Sequence, residues 1–398
     1  MTENLFDHFL GKKLIDKLPF QISIFPGISP IITTSIILAG ILLLFIIFVF
    51  RRIFSKVTHE RKRSLTLETR PNRVTKFIEL HLHLDGAVTV DIAKKLAKLQ
   101  NIQLPYSDDE LEDHLSVPGE CDDLNQFLEM FSLPVSLMQT PKGLTEAVRL
   151  VADNIRSQGV IYAEIRFAPQ LHQDKGMTQE DAILAALRGL KLTQLKANLI
   201  LCLMRGEGNE AENEKTLELA KKYLVKDGGV VGLDIAGAEA LYPTTKYRDI
   251  FRRAHEANIP FTIHAGEAAG ADSVKAAIEF GAKRIGHGVR SFEDPLVLKM
   301  IKDRGITIEM CPTSNRQTHA VDDMKDYPFR QYLENGLKVT LNTDDMGIER
   351  TTLPLEFAYM EKNFNLTYEE EKTLLLNSIN GAFTSDEVKN KLKEELFV

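Results

Sequence analysis

The chain has 398 residues, of which 26% are charged and 44% apolar, with a formal net charge of −7; this is a globular composition with room for a barrel-sized domain. The charge is uneven. Residues 1–73 carry 11 basic against 5 acidic side chains, a surplus of +6, and the remainder, with 38 against 51, carries −13. An acidic body without a basic stripe argues against a nucleic-acid partner, and Cys121, Cys202 and Cys311, with no Cys-x-x-Cys spacing, exclude a disulfide framework and a cysteine-built zinc site.

In chain order, Leu5, Phe6, Phe9, Leu10, Leu14, Ile15 and Leu18 recur at helical spacing, as in a short interfacial helix or, equally, a loose terminus. Residues 31–50 follow, an uncharged run of twenty preceded by Pro26, Gly27 and Pro30 and stopped by Arg51-Arg52. That length at helical rise spans a bilayer, so a single transmembrane helix is expected. A cleaved signal peptide fits less well, because the run is long, starts late and lacks a small-x-small cleavage site. A core helix would rarely be so uniformly apolar. Seven basic residues in 51–70 against three in 11–30 place the C-terminal side in the cytoplasm. The expected organisation is an N-terminal segment 1–30, a span 31–50, a basic linker 51–75 and a folded domain 76–398 on the cytoplasmic side.

From Val74 onward, short β-branched runs alternate with longer helix-period segments, the signature of repeated βα units around a parallel sheet. Strands are predicted at Phe77–His83, Val160–Phe167, Leu199–Met204, Val230–Ile235, Phe261–His264, Arg284–His287, Thr307–Met310 and Lys338–Thr343. Eight such strands imply an α/β fold, a closed (β/α)8 TIM barrel. The wide gap at residues 87–159 predicts a helical insertion after the first strand, and Leu124, Phe127, Leu128 and Phe131 form an apolar stripe within it.

The strand ends carry the chemistry. Period-two alternation puts His81 and His83 on one face of the first strand, with Asp85 just beyond. The fifth strand closes with His264-Ala265-Gly266-Glu267, the sixth with Gly286-His287-Gly288 and the eighth with Thr343-Asp344-Asp345. In a barrel these ends converge on one mouth. Four of the ten histidines gathered there with one glutamate and two aspartates point to a common metal site rather than to unrelated structural histidines. Imidazole and carboxylate donors favour Zn²⁺, with a related divalent ion as the second choice.

From about Lys76 to its end the chain resembles the adenosine deaminase family of metal-dependent amidohydrolases. The motifs that carry the resemblance are Glu79-Leu80-His81-Leu82-His83-Leu84-Asp85-Gly86, Tyr162-Ala163-Glu164-Ile165-Arg166-Phe167-Ala168-Pro169, Asp234-Ile235-Ala236-Gly237, His264-Ala265-Gly266-Glu267, Gly286-His287-Gly288, Cys311-Pro312-Thr313-Ser314-Asn315 and Leu341-Asn342-Thr343-Asp344-Asp345. The resemblance implies a zinc ion held by His81, His83, His264 and Asp344. It implies His287 as the group that orients water and takes its proton, and Glu267 as the acid that protonates N1 of a purine. Asp345 is expected at N7, the Gly237 N–H at N3, Asp85 at the ribose 5′-hydroxyl, and His83 beside the substrate as well as the metal. The substrate implied is a small purine nucleoside, adenosine or 2′-deoxyadenosine. For Asp85 a plain Asp-Gly turn is the alternative, less favoured reading. Two further activities fit the same motifs: an adenine or N6-substituted AMP deaminase with the same machinery, and a membrane-tethered, non-catalytic nucleoside-binding member. A secreted relative would need a signal and extra cysteines. Two departures are visible: the transmembrane segment is unusual for the family, and position 238 is alanine where many relatives are acidic.

Overall fold

The computed structural model describes residues 73–117, 127 and 130–396. Eight parallel strands carry the fold: β1 Phe77–His83, β2 Val160–Phe167, β3 Lys196–Met204, β4 Val230–Ala236, β5 Thr262–Ala265, β6 Arg284–His287, β7 Thr307–Met310 and β8 Lys338–Leu341. Nearly every residue of β1, β2 and β4 is buried, as in parallel strands covered on both faces. All eight expected strands are present, with ends shifted by up to three residues.

The strands pair in sequence order as two four-stranded sheets, β1-β2-β3-β4 and β5-β6-β7-β8. Single parallel bridges join them, Leu233 with Phe261 and Leu82 with Asp344. At the second seam the Asp344 N–H donates to the His81 carbonyl at 2.8 Å, and the His83 N–H donates to the Asp344 carbonyl at 3.0 Å. The backbone of β1 thereby grips the residue that follows β8 by three positions.

The helices bury one face against the strands or against neighbouring helices. In Pro141–Ser157, Thr140 caps the N-terminus, Pro141 starts it, and Leu144, Ala147, Val148, Val151 and Ile155 recur at helical spacing in the core. At 17 residues it is the longest described helix, and it carries Lys142, Glu146, Arg149, Asp153 and Arg156 on its other face. Among the described residues no helix is long and apolar enough to cross a membrane; the expected span at 31–50 lies outside the described residues.

The insertion between β1 and β2 holds helices at Val90–Gln100, Asp108–Leu115, Ser132–Leu137 and Pro141–Ser157. Of the predicted apolar stripe, Phe127 and Phe131 meet edge to face with centroids 5.8 Å apart, and Phe127 packs with Val117 and Ile348. Leu124 and Leu128 lie outside the described residues.

Glu356, on the helix Leu353–Phe364, is fully buried. It accepts a hydrogen bond from the Thr313 N–H at 3.1 Å and another from the Thr351 hydroxyl. Burial pushes its pKa up to about 7. A carboxyl whose folded pKa lies above its unfolded value contributes stability that is full below about pH 4.5 and is lost as pH rises through about 7. Glu356→Gln removes this dependence. Urea unfolding should find it more stable than wild type by about 3 kcal/mol at pH 8.5 and close to wild type at about pH 4.

Candidate metal centre and active site

The imidazoles of β1 and β5 meet at the seam between the sheets. His264 Nε2 lies 3.1 Å from both His81 Nε2 and His83 Nε2, and Asp344 Oδ1 lies 3.2 Å from His81 Nε2 and 3.3 Å from His83 Nε2. Four donors around a zinc-sized ion, with bonds near 2.0–2.1 Å, stand about 3.3 Å apart along the edges of a tetrahedron. The four separations just given match that edge length, and imidazole and carboxylate donors are of the type that holds a metal. His81, His264, His287 and Asp344 also place one ligand atom each within 4.8 Å of one another, so the His287 ring borders the same point. Gly286 makes room for this, since a Cβ there would come within 2.9 Å of His81 Cε1.

Each buried imidazole is held from behind. His81 Nδ1 lies 2.7 Å from Glu309 Oε2, and His264 Nδ1 lies 2.8 Å from Asp234 Oδ2. A carboxylate at Nδ1 keeps the proton there and leaves the Nε2 lone pair free for a metal. Arg166 joins the two carboxylates, reaching Asp234 Oδ2 at 2.5 Å and Glu309 Oε2 at 2.9 Å, and donates to the Leu80 carbonyl at 2.7 Å. Arg284 pairs with the other oxygen of Glu309 and with Glu164. All five charged groups are fully buried. Burial alone would raise the carboxyls, yet His264 and Arg166 hold Asp234, and Arg284 and Arg166 hold Glu309, well below their ordinary values. Burial lowers His83 and keeps it neutral. Asp344, though buried, is held low by the His81 and His287 rings.

In front of the cluster lies a cavity of about 490 Å³, lined by Asp85, Gly237, Glu267, His287, Asp345, Phe127 and Phe131 among others, within the range of small-molecule sites. His83, His264 and Asp344 reach its wall, whereas His81 stands behind them. Glu267 Oε2 is 3.5 Å from His287 Nε2, and Asp344 Oδ2 is 3.7 Å from the same atom. His287 Nδ1 lies 3.0 Å from Asn315 Nδ2, and Tyr327 donates to Asn315 Oδ1. His287 and Asp344 have φ of 61° and 64°, a left-handed conformation unfavourable for both and retained where the surroundings over-determine it. Burial, with Asp344, Asp85 and Glu267 nearby, pushes Asp345 well up, and its Oδ1 is buried without a hydrogen-bond partner among the described residues. Burial also lifts Asp85 to about 6. Gly86 is required beside this pair, because a Cβ would come within 1.7 Å of Asp345 Oδ1.

The parallel sheets and the His/Asp cluster are those of an amidohydrolase fold. Residues 77–397 match the family described as adenosine deaminase. An adenosine deaminase of Haemophilus ducreyi is 48% identical over 322 residues, covering 79% of this chain and 94% of the relative. Among solved structures, an adenine deaminase from Arthrobacter aurescens aligns with a TM-score of 0.73 at 28% identity, covering 81% of this chain and 98% of that one. An N6-methyl-AMP deaminase from Arabidopsis thaliana aligns with a TM-score of 0.70 at 25% identity, over 81% and 96%. The chain belongs to the adenosine deaminase family.

The expected location, a single-pass membrane protein with its catalytic domain on the cytoplasmic side, needs correction. The Haemophilus relative aligns over 94% of its own length with 79% of this chain, and no helix among the described residues is long and apolar enough to cross a membrane. The physical reason lies in the helices that are described: the longest has 17 residues and buries only one face, so none is uniformly apolar over a bilayer's thickness.

Spacing and strand ends pointed to His81, His83, His264, His287, Glu267, Asp344 and Asp345, and the structure brings all of them to one place. Glu309 was missed, and Arg166 and Asp234 entered only as parts of motifs. Their signal was a charged residue inside an otherwise apolar strand, which in a two-sided sheet must be paired. Asp234→Asn is expected to weaken metal binding about 10- to 100-fold, measured by competition with a chromogenic chelator on the purified protein.

Proposed function

We propose that this chain hydrolyses adenosine and 2′-deoxyadenosine to inosine and 2′-deoxyinosine with release of ammonia, using one zinc ion at His81, His83, His264 and Asp344. It is an enzyme of the adenosine deaminase family acting as an adenosine deaminase. The observation that carries the reading is the group of imidazole and carboxylate contacts of 3.1–3.3 Å, opening onto a cavity in which a second carboxyl group, Glu267, faces His287. The catalytic domain is residues 76–398, with its two sheets acting as the halves of one (β/α)8 ring.

When bound, the metal lowers the pKa of water so that hydroxide is available near neutral pH. His287 orients that water and takes its proton at Nε2. This requires the proton of its neutral ring on Nδ1; a half-turn of the Asn315 amide, exchanging Nδ2 for Oδ1, supplies the acceptor, and the Tyr327 hydroxyl then accepts from Nδ2. Glu267 delivers a proton to N1 as attack at C6 builds electron density there; the 6-amino group takes the proton held by His287 and leaves as ammonia, and the 6-hydroxyl proton returns to Glu267 as the 6-oxo group forms. Asp345, with its unpartnered Oδ1, meets N7; the Gly237 N–H meets N3; Phe127 and Phe131 cover the purine face.

Asp85 selects the sugar end. Its carboxyl is buried beside Asp344, where a 5′-phosphate would be repelled and a 5′-hydroxyl would find an acceptor. That disfavours nucleotide substrates such as N6-substituted AMP. The presence of both Glu267 and His287 disfavours a non-catalytic nucleoside-binding role.

The test is ammonia release from adenosine, 2′-deoxyadenosine, adenine and AMP, with and without chelator. Adenosine and deoxyadenosine should be turned over, AMP should not, and the chelator should abolish activity. Glu267→Gln should keep one metal per chain and lose at least about 1,000-fold in kcat, whereas His81→Ala should lose metal and turnover together. Glu267→Gln with wild-type kcat would remove the acid role assigned here.

A further inference from the structure

Glu239 follows β4, two residues beyond Gly237, and only 2% of it is exposed. Its carboxylate collects the backbone N–H groups of four consecutive residues. Gly266 donates to Oε1 at 2.8 Å, and Glu267, Ala268 and Ala269 donate to Oε2 at 3.1, 2.8 and 3.0 Å. The Ser273 hydroxyl adds a fifth donor on Oε1. These residues form the turn between β5, which carries His264 one residue before its end, and the helix Ala271–Phe280. Successive N–H groups pointing to one place make an anion-binding nest, and here the anion is a side chain from the preceding strand's loop.

The clamp is itself held. Ser273 Oγ is 2.6 Å from Thr244 Oγ1, and the buried Arg205 donates to Thr244 Oγ1 at 3.0 Å, to the Tyr242 carbonyl at 2.7 Å and to the His264 carbonyl at 2.6 Å. Glu239 also borders the cavity. A carboxylate offers about four lone-pair sites, and five donors already fill them, so no acceptor remains for a ligand.

We propose that Glu239 is a positioning residue for Glu267. It fixes the main chain from which Glu267 projects, so that the acid stays opposite His287 when substrate arrives. Charge-assisted bonds to backbone N–H groups are among the stronger ones in a protein, and four in succession leave the turn one conformation. This role rests on the deaminase reading of the site.

The experiment uses the full chain. Glu239→Gln keeps the shape but turns an NH2 group against N–H donors, so that at least one backbone donor loses its acceptor. With adenosine, kcat should fall about 10- to 100-fold while KM and metal content stay near wild type, and hydrogen–deuterium exchange should show the amides of 266–269 exchanging faster. Ser273→Ala removes one donor without reversing a dipole and should move kcat and exchange in the same direction by a smaller factor; if the Gln variant does not fold, Ser273→Ala carries the test alone. Unchanged kcat, unchanged protection of 266–269, or a loss that follows metal content or KM overturns the positioning role. Absence of adenosine turnover in the wild type instead overturns the deaminase reading, while the exchange result still decides whether Glu239 orders the turn.

Discussion

The site depends on one buried ion network, Arg166 spanning Asp234 and Glu309 beneath the metal cluster. Three fully buried charges would each be strongly destabilising alone. They are tolerated because each carboxylate is shared between a guanidinium and an imidazole and because the Arg166 guanidinium also reaches a strand carbonyl. The consequence reaches the chemistry directly: the same carboxylates fix which nitrogen of His81 and His264 is protonated, and so which lone pairs point at the metal. A helix-borne or loop-borne histidine would have more freedom. These two stand on strands, with second partners of fixed charge.

The seam between the two sheets has an equally definite role. Asp344 does not belong to β8 by its ladder, yet its N–H and carbonyl bond to β1 on either side of Leu82, which brings the carboxylate between His81 and His83. Its left-handed backbone is the local cost of that junction. His287 carries a similar conformational penalty at the end of β6. The two residues with positive φ that border the metal cluster are therefore those that turn a side chain from a strand direction toward the shared point.

Around this rigid centre the cavity walls divide by chemistry. Asp344, Asp345, Asp85 and Glu267 gather carboxyl groups on one side; burial first, and the neighbouring carboxyl groups second, make Asp345 and Asp85 hold their protons more tightly than free carboxyls do. Phe127 and Phe131 supply an apolar wall from the insertion after β1.

The amino-acid sequence by itself determined the eight strands, the insertion after the first, and the set of histidines and carboxylates at the strand ends, because these follow from local periodicity and from residue types that rarely end four strands by accident. It did not determine the location of the chain: twenty apolar residues satisfy a hydropathy rule without any tertiary contact to check it. Nor could it show that Glu309 stands behind His81, that Asp234 stands behind His264, or that Glu239 clamps the turn bearing Glu267, partners separated by 228, 30 and 28 residues in the chain. Such pairings arise only when strands distant in sequence are laid side by side, since a hydrogen bond is specified by position in space and a lone buried charge carries no label of its partner. Only the tertiary structure, by bringing those strands together, decided them.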